Sequence, residues 1–124
     1  MVQIYVAGIC NIGDEEVKRR RRSGWAGLII SAMYLAVLAG IHVDPAWRFL
    51  VFFPAMVAAS GFLQAHFHFC TGFAHAGVFN FGPVGDVHQI PDAASKQKDR
   101  KHGRLISFYA LVIAVVIAVA AFVI

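Results

Sequence analysis

The chain has 124 residues, enough for one small domain, with 59% hydrophobic and 15% charged residues and a formal charge of +4. A soluble domain carries about 25% charged residues, so this chain cannot clothe a water-facing surface, and its apolar excess must meet lipid or a partner. The basic balance does not point to nucleic acid, because the basic residues form two blocks beside apolar runs, where membrane topology accounts for them.

Met1 to Ile12 mixes apolar and polar residues without a period and contains Cys10. Asp14, Glu15 and Glu16 then precede Lys18 and Arg19 to Arg22. Acids at the start of a helix and bases at its end suit the helix dipole. Glu15–Arg19 and Glu16–Arg20 have the spacing of i, i+4 ion pairs. The expectation is a short interfacial helix from about Asp14 to Arg22, in a cytoplasmic segment 1–23, with a bend at Ser23-Gly24.

Three runs are long enough to cross a bilayer, which takes about 20 apolar residues. The first, 25–43, opens on Trp25 and stops at Asp44-Pro45. A cleaved signal peptide fits it poorly, because the charged stretch in front is too long. The second, 47–71, starts at Trp47 and Arg48, carries Pro54 in its first turns, and is expected to run unbroken through Cys70. A connecting loop, 76–104, follows. Its first half holds Gly77, Gly82, Pro83, Gly85 and Pro91 and should be irregular, with Phe79 and Phe81 dipping into the interface. Its second half reads as a helix capped by Asp92, with a basic face of Lys96, Lys98, Arg100 and Lys101. The third span is 105–124.

Ten of the eleven Lys and Arg residues fall in the N-terminal segment and in the 76–104 loop, and Arg48 alone lies across the membrane. The positive-inside bias therefore puts the N-terminus in the cytoplasm and the C-terminus outside. Cys10 and Cys70 then face the reducing side, against a disulfide. The basic residues Arg19, Arg20, Arg21, Arg22, Lys96, Lys98, Arg100 and Lys101 are expected to meet lipid headgroups. Small residues recur in all three spans: Ala32, Ala36 and Gly40; Ala55 and Ala59, then Gly61 and Ala65; Ala110, Ala114 and Ala118. Such stripes let helices approach closely in lipid.

On a continuous second helix, Gln64, His68, Thr71 and His75 share one face, and His66 and Cys70 form an i, i+4 pair on another. Several chemistries compete for them. His66 and Cys70 could supply two metal ligands, joined by Cys10, His88 or His102, for zinc. His68 or His75 could ligate the metal of a haem or a chlorophyll-type pigment beside a Phe-rich wall. Proton or ion transport would want carboxylates, and no span has one. The plainer reading is that these groups sit near the interface and bond to the loop or to headgroups. No phosphate loop, nucleophile elbow or carboxylate pair stands out.

Asn11-Ile12-Gly13, Glu16, Arg20 and Gly24 spell N-I-G-x-x-E-x-x-x-R-x-x-x-G running into an apolar helix. This resembles the start of a family of small bacterial inner-membrane proteins, the family of domain of unknown function 2892, sometimes fused to rhodanese domains. The resemblance implies a bacterial inner membrane and carries over no catalytic residue. The chain departs from it in its third span, its His-rich second span and Cys10.

The expected fold is an all-α membrane protein: three transmembrane helices, a short N-terminal interfacial helix and a partly helical basic cytoplasmic loop. The expected function is that of a non-enzymatic accessory or assembly subunit, or a homo-oligomer, in contact with lipid and with other membrane subunits or itself. No cofactor is predicted. The alternative is a metal- or tetrapyrrole-binding redox or photosynthetic subunit using the second span.

Overall fold

The structure, a computed structural model, describes residues 5–124. Helix α1 spans Asp14–Gly40, a 3-10 segment Pro45–Val51 leads into α2 at Phe52–Phe67, and the short α3 spans Thr71–Ala76. Strands β1 (Val78–Phe79) and β2 (His88–Gln89) pair antiparallel, and α4 runs from Ala93 to Val123. Three stretches are long and apolar enough to cross a membrane: Asp14–Gly40, Pro45–Phe67 and Ala93–Val123. At 1.5 Å per residue, α1 is about 40 Å long and α4 longer, more than a hydrocarbon core of about 30 Å requires. Both are therefore long enough to carry their charged first turns beyond such a core.

Helix α2 packs against both α1 and α4. The α1–α2 crossing is set by glycine. A methyl group at Gly61 would lie 2.5 Å from the Gly24 nitrogen, and one at Gly27 would lie 2.5 Å from the Ala58 nitrogen. The two backbones thus approach as closely as small residues allow, the arrangement by which helices gain dispersion contacts when they pack in lipid. This close approach corrects the expected bend at Ser23-Gly24. Gly24 is buried inside one continuous helix, and the residues expected to form a separate interfacial helix, Asp14 to Arg22, are its first turns.

The α4 stripe behaves as its spacing predicts: Ala110, Ala114 and Ala118 are all buried, as are Ala55, Ala59 and Ala65 of α2. The α1 stripe does not. Ala32, Ala36 and Gly40 face outward, and the buried face of this helix is Gly24, Gly27, Ser31 and Leu38. Asp92 caps α4 as expected, accepting from the Ser95 amide at 2.9 Å and hydroxyl at 2.8 Å, and α4 continues without a break into the third span.

The second span differs from its sequence pattern. Helix α2 ends at Phe67, and His68 adopts a left-handed conformation with φ 53°. The Phe69 amide reaches back to the Gln64 carbonyl at 3.0 Å, closing the helix end. Cys70 is extended, and α3 sets off from it.

Candidate functional site: a polar clasp at the basic end

The break at His68 places Cys70 where the N-terminal segment can seize it. The Asn11 carboxamide accepts from the Cys70 amide at 2.6 Å and donates to the Cys70 carbonyl at 3.0 Å. The Asn11 and Ile12 amides donate to the His68 carbonyl, and Gly13 and Asn80 complete the join through Gly13 N–H to Asn80 O (2.8 Å) and Asn80 N–H to Asn11 O (2.9 Å). Asn11 and Asn80 are both fully buried. Buried backbone groups must find partners, and a side-chain amide with one donor end and one acceptor end matches a peptide unit in extended conformation.

Charges sit under this join. Glu16 is buried, with one carboxylate oxygen 3.1 Å from the Arg20 guanidinium. That oxygen has charge contact but no well-aligned hydrogen bond. The other accepts from Asn80 at 3.4 Å. Arg20 donates to the Cys70 sulfur at 2.8 Å and lies over the Phe73 ring. The same sulfur accepts from the Phe73 amide at 3.5 Å, at the start of α3. Gln64 spans the break from the α2 side, accepting from the Thr71 amide at 3.2 Å and donating to Ser60 at 2.7 Å.

A second anchor ties the N-terminal turn to α4. Asp99 is fully buried and accepts from the Tyr5 hydroxyl and the Gly8 amide, both at 2.7 Å. Tyr5 stacks on Phe79 of β1 with ring centres 4.9 Å apart. Burial first, then the hydrogen bond to Asp99 and its negative charge, push the Tyr5 hydroxyl pKa above its ordinary value. The Asp92 carboxyl lies below the usual range, chiefly through its bond to the Ser95 hydroxyl.

The residues singled out by sequence fall as follows. His66, His68 and His75 are exposed at the basic end, Cys70 is buried, and Cys10 is half-buried in the turn that begins at Val6. The face shared by Gln64, His68, Thr71 and His75, and the helical pairing of His66 with Cys70, both required a continuous helix and are dissolved by the break. His66 instead meets Phe67 edge-on, and His102 meets Phe69 edge-on at 4.5 Å. Among the described residues, no three His, Cys, Asp or Glu side chains gather as metal ligands would.

Of the basic residues, Arg19, Arg21, Arg22, Lys98, Arg100 and Lys101 are exposed. Arg20 corrects the lipid-facing expectation, since its side chain turns inward with 15% exposure. Lys96 is half-buried, and its stem lies against Gly77. Glu16–Arg20 forms as expected, but Glu15 pairs with Lys18 rather than Arg19. Phe79 and Phe81 pack against one another, within the cap that covers this end.

Asn80 and Asp99 were not legible as site residues. Each looks like an ordinary loop or helix-surface polar residue until its partners, distant in sequence, are known. The N-I-G-x-x-E-x-x-x-R-x-x-x-G pattern did mark five parts of the clasp, Asn11, Ile12, Gly13, Glu16 and Arg20, and its last position, Gly24, lies at the α1–α2 crossing. Asn11 acts on the Cys70 peptide, and Gly13 holds the cap position of α1. In comparisons with known proteins, the chain matches no family model, no curated protein and no solved structure.

Proposed function

We propose that this protein is a small non-enzymatic membrane subunit that works by lateral packing, against another membrane protein or a second copy of itself. The observation that supports it lies on α1. The small-residue faces of α2 and α4 are used inside the bundle, whereas Ala32, Ala36 and Gly40 present a smooth face to the outside. A methyl group at Gly40 would meet nothing within 4 Å. Faces of this kind are the ones along which helices associate in lipid.

In this reading the two basic blocks keep the clasp on the cytoplasmic side and the α2 start and α4 end outside. The N-terminal pattern, with its resemblance to the family of domain of unknown function 2892, fits a bacterial inner membrane. A photo-cross-linking amino acid at position 36, compared with one at Val115 on α4, tests the proposal in native membranes. A discrete protein adduct from position 36 only is expected. Lipid adducts alone at both positions, with a monomeric mass in mild detergent, would sink it.

A further inference from the structure

A groove of about 590 Å³ lies between the N-terminal turn and the start of α4. Ala7, Gly8 and Leu105 give it an apolar floor, the half-buried His102 lines it beside them, and the exposed Lys98, Lys101 and Arg104 complete the lining. The three cations recur every third residue and so share one side of α4. All three are exposed, and among the described residues none has a carboxylate within 4 Å. The acid placed among them, Asp99, is turned inward with both oxygens engaged by Tyr5 and Gly8. Asp92 feels the charge of Lys98, but its carboxylate is engaged by Ser95. Gly8, at φ 71°, lets the turn lie close against the Lys98 backbone, so the anchor that hides the negative charge also builds the groove wall.

Arg104 is the last charged residue of the chain. Below it, Leu105, Tyr109, Val112 and Val116 form an exposed apolar ridge at i, i+4, i+7 and i+11. Uncompensated cations therefore stand directly above an apolar track. A neighbouring groove of about 600 Å³ on the far side of Lys101 and Arg104 is lined by Ala93, Gln97 and Arg100 instead and has no such floor.

We propose that the first groove binds one acidic phospholipid, its phosphate between Lys98, Lys101 and Arg104 and an acyl chain along the ridge below Leu105. Charge complementarity selects the headgroup and the apolar floor selects a lipid over a free anion. This site does not depend on lateral association through α1, and it can hold whether or not that reading does.

The test uses the full chain in nanodiscs containing phosphatidylglycerol and phosphatidylcholine, with retained lipid read by native mass spectrometry. One phosphatidylglycerol per chain is expected to survive release, with phosphatidylcholine lost. The double variant Lys101→Gln, Arg104→Gln should retain it at least about tenfold more weakly, from the loss of two near-surface charges. Both positions are exposed on a helix and Gln is a good helix former, so the fold should persist, as circular dichroism would verify. Arg21→Gln, Arg22→Gln removes equal charge away from the groove and should leave retention unchanged. Equal retention of both lipids, or an equal fall in both double variants, would overturn the proposal. So would displacement of the lipid by millimolar inorganic phosphate, which would mark a site for the free anion.

Discussion

The two ends of the bundle are held in opposite ways. At the basic end, Asn11, Glu16, Arg20, Gln64, Cys70, Asn80 and Asp99 form a buried or half-buried polar assembly linking the N-terminal segment, all four helices and the β-ribbon. At the far end, the turn after α1 is tied by the Tyr34 hydroxyl to the Trp47 carbonyl at 2.6 Å, and Arg48 reaches the Ala121 carbonyl of α4 at 3.3 Å. Phe49 stacks on Phe122 nearby, with centroids 4.5 Å apart. The far end closes with apolar contact and a few surface bonds, while the basic end is a fixed structure. Buried polar networks raise the cost of every missing partner, so mutations should separate the two ends sharply.

The widest separation is expected at Arg20. Arg20→Ala leaves Glu16 buried with only Asn80 and, at 3.9 Å, the exposed Arg19 beside it, and breaking a buried pair by removing one partner costs about 3–5 kcal/mol. Reversible unfolding in mixed micelles should show that loss, and a change below about 1 kcal/mol would mean water already reaches Glu16. Asn11→Ala removes both contacts to the Cys70 peptide and should cost roughly 2–3 kcal/mol. Hydrogen exchange at the Cys70 amide should rise in this variant before exchange in α4 does.

His68→Gly sharpens the comparison in the other direction. A left-handed residue with a β-carbon is strained, and glycine relieves this for a net gain of about 0.5–1 kcal/mol after its larger chain entropy. A lower melting temperature in that variant would show that the His68 side chain contributes more than its backbone strain costs. Arg48→Ala, at the far end, should cost no more than about 1 kcal/mol, since one neutral carbonyl loses one donor.

The smallest effect is alkaline and local. The folded Tyr5 pKa is raised, so its contribution is complete below the unfolded value of about 10 and is lost as pH climbs past it. Ultraviolet titration of the wild type against Tyr5→Phe should find one tyrosine ionising later than its unfolded reference, with loosening confined to the N-terminal turn. Ionisation of Tyr5 at its ordinary pH would remove the Asp99 anchor from the account.

The parts of the fold that depend on local composition were legible. Uncharged runs, Asp92 as a cap and the alanine stripes of α2 and α4 all report on neighbours a few residues away, whereas α1 already ends at Gly40 and Asp44-Pro45, expected to stop it, starts the 3-10 segment instead. The course of the chain from Phe67 to Thr71 was not. No Gly or Pro stands between Phe62 and Cys70, so a helical period extends smoothly across His68 and assembles a histidine face that does not exist. The same limitation made Arg20 look like a headgroup contact and Gly24 like a hinge.

Hydropathy and charge in the sequence alone determined that three helices can cross a membrane and that nearly all the cations gather in two segments. Only tertiary structure decided where α2 stops, because Asn11, far away in the chain, offers the Cys70 peptide a better pair of hydrogen bonds than another helical turn would. Tertiary structure also decided which cations are free, by burying Arg20 against Glu16 and turning Asp99 away from Lys98, Lys101 and Arg104. Pairing of charges across long sequence distances leaves no periodic signal, and it is this pairing that separates the structural end of α1 from the binding groove on α4.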